Sequence, residues 1–80
     1  MNRYPTPEAP WYIVFHDGRQ GTTYYQSAYS EGTDGSTFHK SKVGAQIFVN
    51  LKAAVMVARA TVSSIRVLFD AEEAKEFGRD

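Results

Sequence analysis

The side chains best suited to chemistry are few. His16 is followed directly by Asp17, and His39 is the second of two histidines in the chain. A histidine beside a carboxylate suits proton transfer, and several imidazoles and carboxylates converging would suit a metal. Neither the His-x-x-x-His nor the Cys-x-x-Cys spacing of a metal site occurs. No serine stands in a Gly-x-Ser-x-Gly elbow. The glycines of DGRQG and EGTDG match neither a Gly-x-x-x-x-Gly-Lys loop nor a Gly-x-Gly-x-x-Gly fingerprint, and turn formation accounts for them. The pattern predicts no enzyme, no metal and no cofactor.

Two other groups of residues suit binding. Tyr12, Tyr24, Tyr25 and Tyr29, with Arg19, Lys40 and Arg66, would make an aromatic and basic sheet face of the kind that stacks unpaired bases. Tyrosines also suit a protein interface, since they supply large area with little rotamer entropy to lose. Glu31 and Asp34 form one acidic tip, and Asp70, Glu72, Glu73 and Glu76 a denser group interrupted by Lys75. Their ordinary role is a solvated face; the alternative is a docking patch for a basic partner.

The 80 residues bound these choices. A single domain of this size buries about 60% of its unfolded surface, so its stability is modest and a dimer is one way to add buried area. Nine basic and nine acidic residues cancel, which argues against general attraction to nucleic acid and against wholesale acidic mimicry of it. There is no cysteine, as suits a reducing compartment. No apolar run approaches the ~20 residues of a membrane span, and MNRYPTPEAP lacks the apolar centre of a signal peptide.

The elements that position these residues follow from periodicity. Pro5, Pro7 and Pro10 make residues 1–10 a flexible, extended arm ahead of a single domain over 11–80. Trp11 to His16 reads as a strand, apolar on both faces: Trp11, Ile13 and Phe15 on one, Tyr12 and Val14 with His16 on the other. Asp17-Gly18 signals a turn into a second, antiparallel strand, Thr22 to Ser30. There Tyr24 and Tyr25 point to opposite faces, so that one of them lies on the open face. Ser36 to Lys40 is a third strand with Phe38 in the core.

Ser41 to Ala60 reads as one long amphipathic helix capped by Ser41. Val43, Ile47, Phe48, Leu51, Ala54, Val55 and Ala58 share one arc, with Leu51 and Val55 at its middle. A competing reading makes Val43 to Val49 a strand and starts the helix at Asn50, itself a good cap. A fourth strand follows, with Ile65, Val67 and Phe69 facing the core and Ser64, Arg66 and Leu68 facing away. Asp70 then caps a short terminal helix that Gly78 stops. The expected fold is α+β: a small antiparallel sheet of three N-terminal strands and one C-terminal strand, a long amphipathic helix across one face, and a short C-terminal helix. The second sheet face stays open unless the terminal helix or a partner covers it.

This plan resembles small proteins encoded by bacteriophages and other mobile elements, the anti-CRISPR proteins among them. The features that carry it are the first strand WYIVF, the run FHKS, a helix with alanines at Ala45, Ala53, Ala54 and Ala58, and the strand IRVLFD. The likeness is architectural and spans Trp11 to Asp70. It implies a non-catalytic protein-binding inhibitor in the bacterial host cytoplasm, a monomer or homodimer without membrane or specific nucleic-acid partner. Its target would be a subunit of a CRISPR effector complex, with target-DNA binding or nuclease recruitment blocked. Tyr24, Tyr25 and Tyr29 are candidate contacts for the area they supply, and Glu31, Asp34, Asp70, Glu72, Glu73 and Glu76 for docking in the positively charged channels where such complexes hold nucleic acid. The alternatives are a single-stranded nucleic-acid-binding module with an aromatic sheet face, and a small phage structural or accessory protein.

Overall fold

The computed structural model describes residues 4–26 and 38–79. Strand β1 (Trp11–Gly18) pairs with β2 (Gly21–Tyr25), and β2 with the short β3 (Phe38–His39). Helix α1 (Leu51–Thr61) leads into β4 (Ser64–Leu68), which returns beside β1, and α2 (Ala71–Glu76) follows. The sheet is antiparallel throughout, in the order β3-β2-β1-β4. The α+β class with a four-stranded antiparallel sheet and two helices is as the sequence leads one to expect.

β1 is apolar on both faces, and each face has its own cover. Val14 packs with Ala54 and Ala58 of α1, flanked by Tyr12, Tyr25, Phe38, Phe48 and Ile65. On the reverse face Trp11, Ile13, Tyr24 and Leu68 pack with Ala45, Ala74 and Phe77. The sheet thus lies between α1 on one side and α2 with the Ala45 segment on the other. Tyr4 also packs against this second core and Pro5 is buried, so the described part of the expected arm is docked. Thr6 and Ala9 exchange backbone hydrogen bonds of 3.2 and 3.1 Å, which fold it into a turn.

The helix is shorter than the 41–60 segment expected. Its cap is Asn50, whose side chain accepts from the Lys52 amide at 2.8 Å, not Ser41. Two facts end helical structure before that point. Gly44 has φ +96, a left-handed conformation that no helix interior holds. The backbone of 46–48 is also committed elsewhere: Gln46 donates to Tyr25 O, and Phe48 exchanges bonds of 2.8 and 3.0 Å with Tyr12. This segment therefore continues the ladder on the edge of β1 that β2 leaves. Ile47 turns to the α2-side core and Phe48 to the α1-side core, an alternation of period two inside the supposed helical arc.

Other expectations shift with it. Leu51, placed mid-arc in the sequence reading, is 49% exposed, whereas Ala54 and Ala58 carry the helix contact. In β4 the faces are divided differently: Leu68 is fully buried and Phe69 is exposed. The reason is that both faces of this strand have a core to meet, Ile65 that of α1 and Leu68 that of α2. The first hairpin turns through Arg19-Gln20, with Asp17 and Gly18 still in the ladder and Gly21 at φ +115. α2 begins and ends as expected. Asp70 accepts from the Glu73 amide at 2.9 Å, and Gly78, at φ +79, closes the helix.

The end of α1 is unusual in its residue type. The Ser63 amide donates to Ala58 O at 2.8 Å and the Val62 amide to Arg59 O at 3.4 Å, the pair of bonds of a Schellman motif. That motif needs a left-handed residue, and here Val62 supplies it, with φ 53 and ψ 53. A β-branched side chain is strained in this region, where glycine is the usual occupant.

The core assignments give a direct test. Phe77, 1% exposed, should cost about 3–5 kcal/mol when cut to alanine. Leu51→Ala should cost less than about 1 kcal/mol, close to the surface range. Urea unfolding of both variants decides whether the core runs through α2 or through the start of α1.

Candidate functional site

Of the sequence-predicted contacts that the structure describes, the two tyrosines lie on opposite faces of the sheet and the four carboxylates stay together at α2. Tyr24 is 8% exposed and lies edge-on to Phe77, with ring centroids 5.5 Å apart. Tyr25 is half-buried on the opposite face, between Phe38 at 5.7 Å and Phe48 at 6.1 Å. Both faces of the sheet are covered at these tyrosines, so neither ring lies on an open face. Tyr12 joins Tyr25 in the α1-side core, while Arg66 lies on the α2 side. The aromatic and basic residues that would stack bases are therefore split between two packed faces. Tyr29, Glu31 and Asp34 lie outside the described residues.

The carboxylates of α2 are engaged within the domain. Asp70 caps the helix, and Glu73 accepts from the amide of Phe69, the residue before the cap, at 2.9 Å, so both side chains satisfy amides at the helix start. Arg66 reaches from β4 to Glu76 at 2.9 Å and Glu73 at 3.8 Å. Lys42 meets Glu76 from the other side at 3.3 Å. Both cations stand over the Phe77 ring, Arg66 at 5.2 Å and Lys42 at 6.0 Å from its centroid. The Glu72 side chain is 85% exposed, and it pairs with Lys75 at 3.7 Å. An acidic cluster in the sequence has become a nearly compensated network in space. The signal for this was available in the alternation of β4, which puts Arg66 and Leu68 on one face with α2.

Glu76 shows the consequence. Hydrogen bonds from Lys42 and Arg66, with the Arg66 charge added, hold its carboxyl below the usual carboxylate range. Among the described residues no three histidines, aspartates or glutamates converge as a metal site would require. His16 and Asp17 alternate across the strand, and Asp17 accepts from the Thr22 hydroxyl. His39 has its Nε2 buried with no hydrogen-bond partner among the described residues.

Two surfaces that the sequence reading did not assemble come forward. One is an open groove of about 670 Å³ between the end of α1 and β4, lined by Val55, Ala58, Arg59, Val62 and Ile65 among others. Val62 stands 84% exposed at its rim. β4 is an edge strand, and among the described residues nothing pairs with its outer side. The second is a smaller cleft at the β1–β2 turn. Among the described residues no helix is long and apolar enough to cross a membrane. Comparison with protein families, with characterised proteins and with solved structures finds no match to this chain.

The Glu76 network predicts an acid-dependent stability. A carboxyl whose pKa is lowered by folding stabilises fully above its unfolded value, and this contribution is lost as pH falls through the folded one. Glu76→Gln should therefore be less stable than the parent near neutral pH. The gap should narrow as the pH falls through the lowered folded value of Glu76 and close once both side chains at this position are uncharged. Urea midpoints followed from neutral pH into acid check this, and a gap that does not narrow in acid contradicts it.

Proposed function

We propose that this protein acts by binding another protein and not by catalysis, as an inhibitor of a bacterial CRISPR effector complex in the host cytoplasm. It would obstruct target-DNA binding or nuclease recruitment by occupying the surface they need. The observation that carries the binding reading is the edge of β4 with its neighbouring groove. An unpaired edge offers amides and carbonyls to an extended segment of a partner, and the adjacent apolar groove gives that segment's side chains a place to pack. Val62 adds a strained, exposed apolar side chain at the rim. Strain retained at an exposed position is consistent with a role outside the fold. The architectural resemblance to anti-CRISPR proteins supplies the partner class. The α2 carboxylates, being paired internally, contribute chiefly through Glu72.

Val62 separates binding from stability. Val62→Gly relieves the left-handed strain and should raise stability by about 1 kcal/mol, or a melting temperature higher by roughly 4–8 °C. The same change removes the exposed methyls and should weaken capture of a CRISPR effector from bacterial lysate. Co-expression of the parent should restore plaque formation by a phage that the system restricts. Retention of no effector, with restriction intact, sinks the proposal. Self-association on a sizing column in place of capture would shift the reading to a small structural or accessory protein.

A further inference from the structure

The β1–β2 turn carries a surface of different chemistry. β1 and β2 join through Arg19 and Gln20, a two-residue connection between the paired Gly18 and Gly21. His16 on β1 lies across from Thr23 on β2. His39 on β3 lies across from Tyr24, so the next residue, Lys40, falls beside Thr23. Three neighbouring strands thus align His16, Thr23 and Lys40 in a row, and Arg19 and Gln20 close its end. Together they line an open cleft of about 350 Å³.

The charge of this cleft is one-sided. Arg19 and Lys40 are permanent cations, His16 adds an imidazole, and no carboxylate is among the lining residues. Asp17, the one acid of the hairpin, alternates to the other face of the strand and is held by the Thr22 hydroxyl. Lys42, Arg66 and Lys75 are each matched to a glutamate. Arg19 and Lys40, like Lys52, Arg59 and Arg79, make no ion pair among the described residues, and Arg19 and Lys40 share one cleft. Cations brought together without a counter-charge repel one another, and a bound anion removes that cost. His16 is oriented by an edge contact to Phe38, with centroids 6.5 Å apart.

We propose that this cleft binds the phosphate end of a small ligand, with pyrophosphate or the phosphates of a mononucleotide as the fitting size. Arginine offers a planar fork that matches phosphate oxygens, lysine a mobile point charge, and Thr23 and His16 further hydrogen-bonding groups. The volume lies at the lower end of small-molecule sites. It accommodates one or two phosphate groups. A long nucleic-acid backbone would gain little from a chain of zero net charge. The cleft shares no lining residue with the groove beside β4, so substitutions in one leave the other in place and the two readings are separately decided.

Titration of the intact, isotopically labelled protein with pyrophosphate at constant ionic strength tests it. The expected result is saturable amide shifts confined to residues 16–23 and 40, weakened at least tenfold by Arg19→Ala with Lys40→Ala. Charge reversal of both to glutamate should abolish them. Both side chains are exposed, and circular dichroism verifies that the variants fold. A mononucleotide that reproduces the shifts where its nucleoside does not supports the phosphate assignment. Shifts scattered over all the lysines, or unchanged by charge reversal, overturn it. Binding of a single-stranded oligonucleotide with none of pyrophosphate or mononucleotide also overturns it, in favour of a nucleic-acid backbone.

Discussion

The domain is governed by one strand that is apolar on both sides. Trp11, Ile13 and Phe15 cannot remain in water while Val14 and Tyr12 are buried, or the reverse, so a chain of 80 residues must supply two covers for one sheet. It does so with small residues on one side and a large one on the other. Ala54 and Ala58 let α1 approach closely. On the reverse, Phe77 fills the space beneath the sheet and α2 is little more than the support that delivers it. Arg66 and Lys42 then lie over that ring and bind the acid beside it. The hydrophobic cover and the ionic network are parts of one arrangement.

This double requirement explains what was legible beforehand. The strand WYIVFH, the Asp70 cap and the Gly78 stop rest on local chemistry and appear where their residues put them. The segment 41–50 was misread because its apolar residues lie on a helical arc by coincidence of spacing. Ile47 and Phe48 serve opposite cores, which adjacent residues do in extended chain. The weaker signals, Gly44 and the capping character of Asn50, were the informative ones. Leu68 was assigned outward because a single core was assumed; a second core reverses the inference.

The described candidate contacts are drawn into the fold for the same reason. Tyrosines and carboxylates look available in a sequence until a second layer requires them. Tyr24 and Tyr25 each went to a different core, and Glu73 and Glu76 to Arg66. What remains at the surface is less conspicuous in sequence: one valine in a glycine's conformation and, among the described residues, an unpaired strand edge and a few cations without an ion pair. None of these can be read from residue type alone, because each depends on what the fold leaves unmatched.

The central position of β1 also imposes an order on the chain's first moments. Its immediate neighbour, β2, pairs only with the residues from Phe15 onward, Tyr12 awaits Phe48 on that same edge, and the other edge of Trp11 to Phe15 awaits β4, far later in the sequence. Until that strand arrives, WYIVF is an uncharged, strongly β-forming run with a bare edge, the kind of segment that seeds intermolecular stacking. Its flanks are suited to restrain this. Pro10 blocks extension of the ladder on one side, and His16, Asp17 and Arg19 bring polarity and charge on the other. The hairpin tip thus sets polar and charged side chains directly beside the segment most prone to stack between chains.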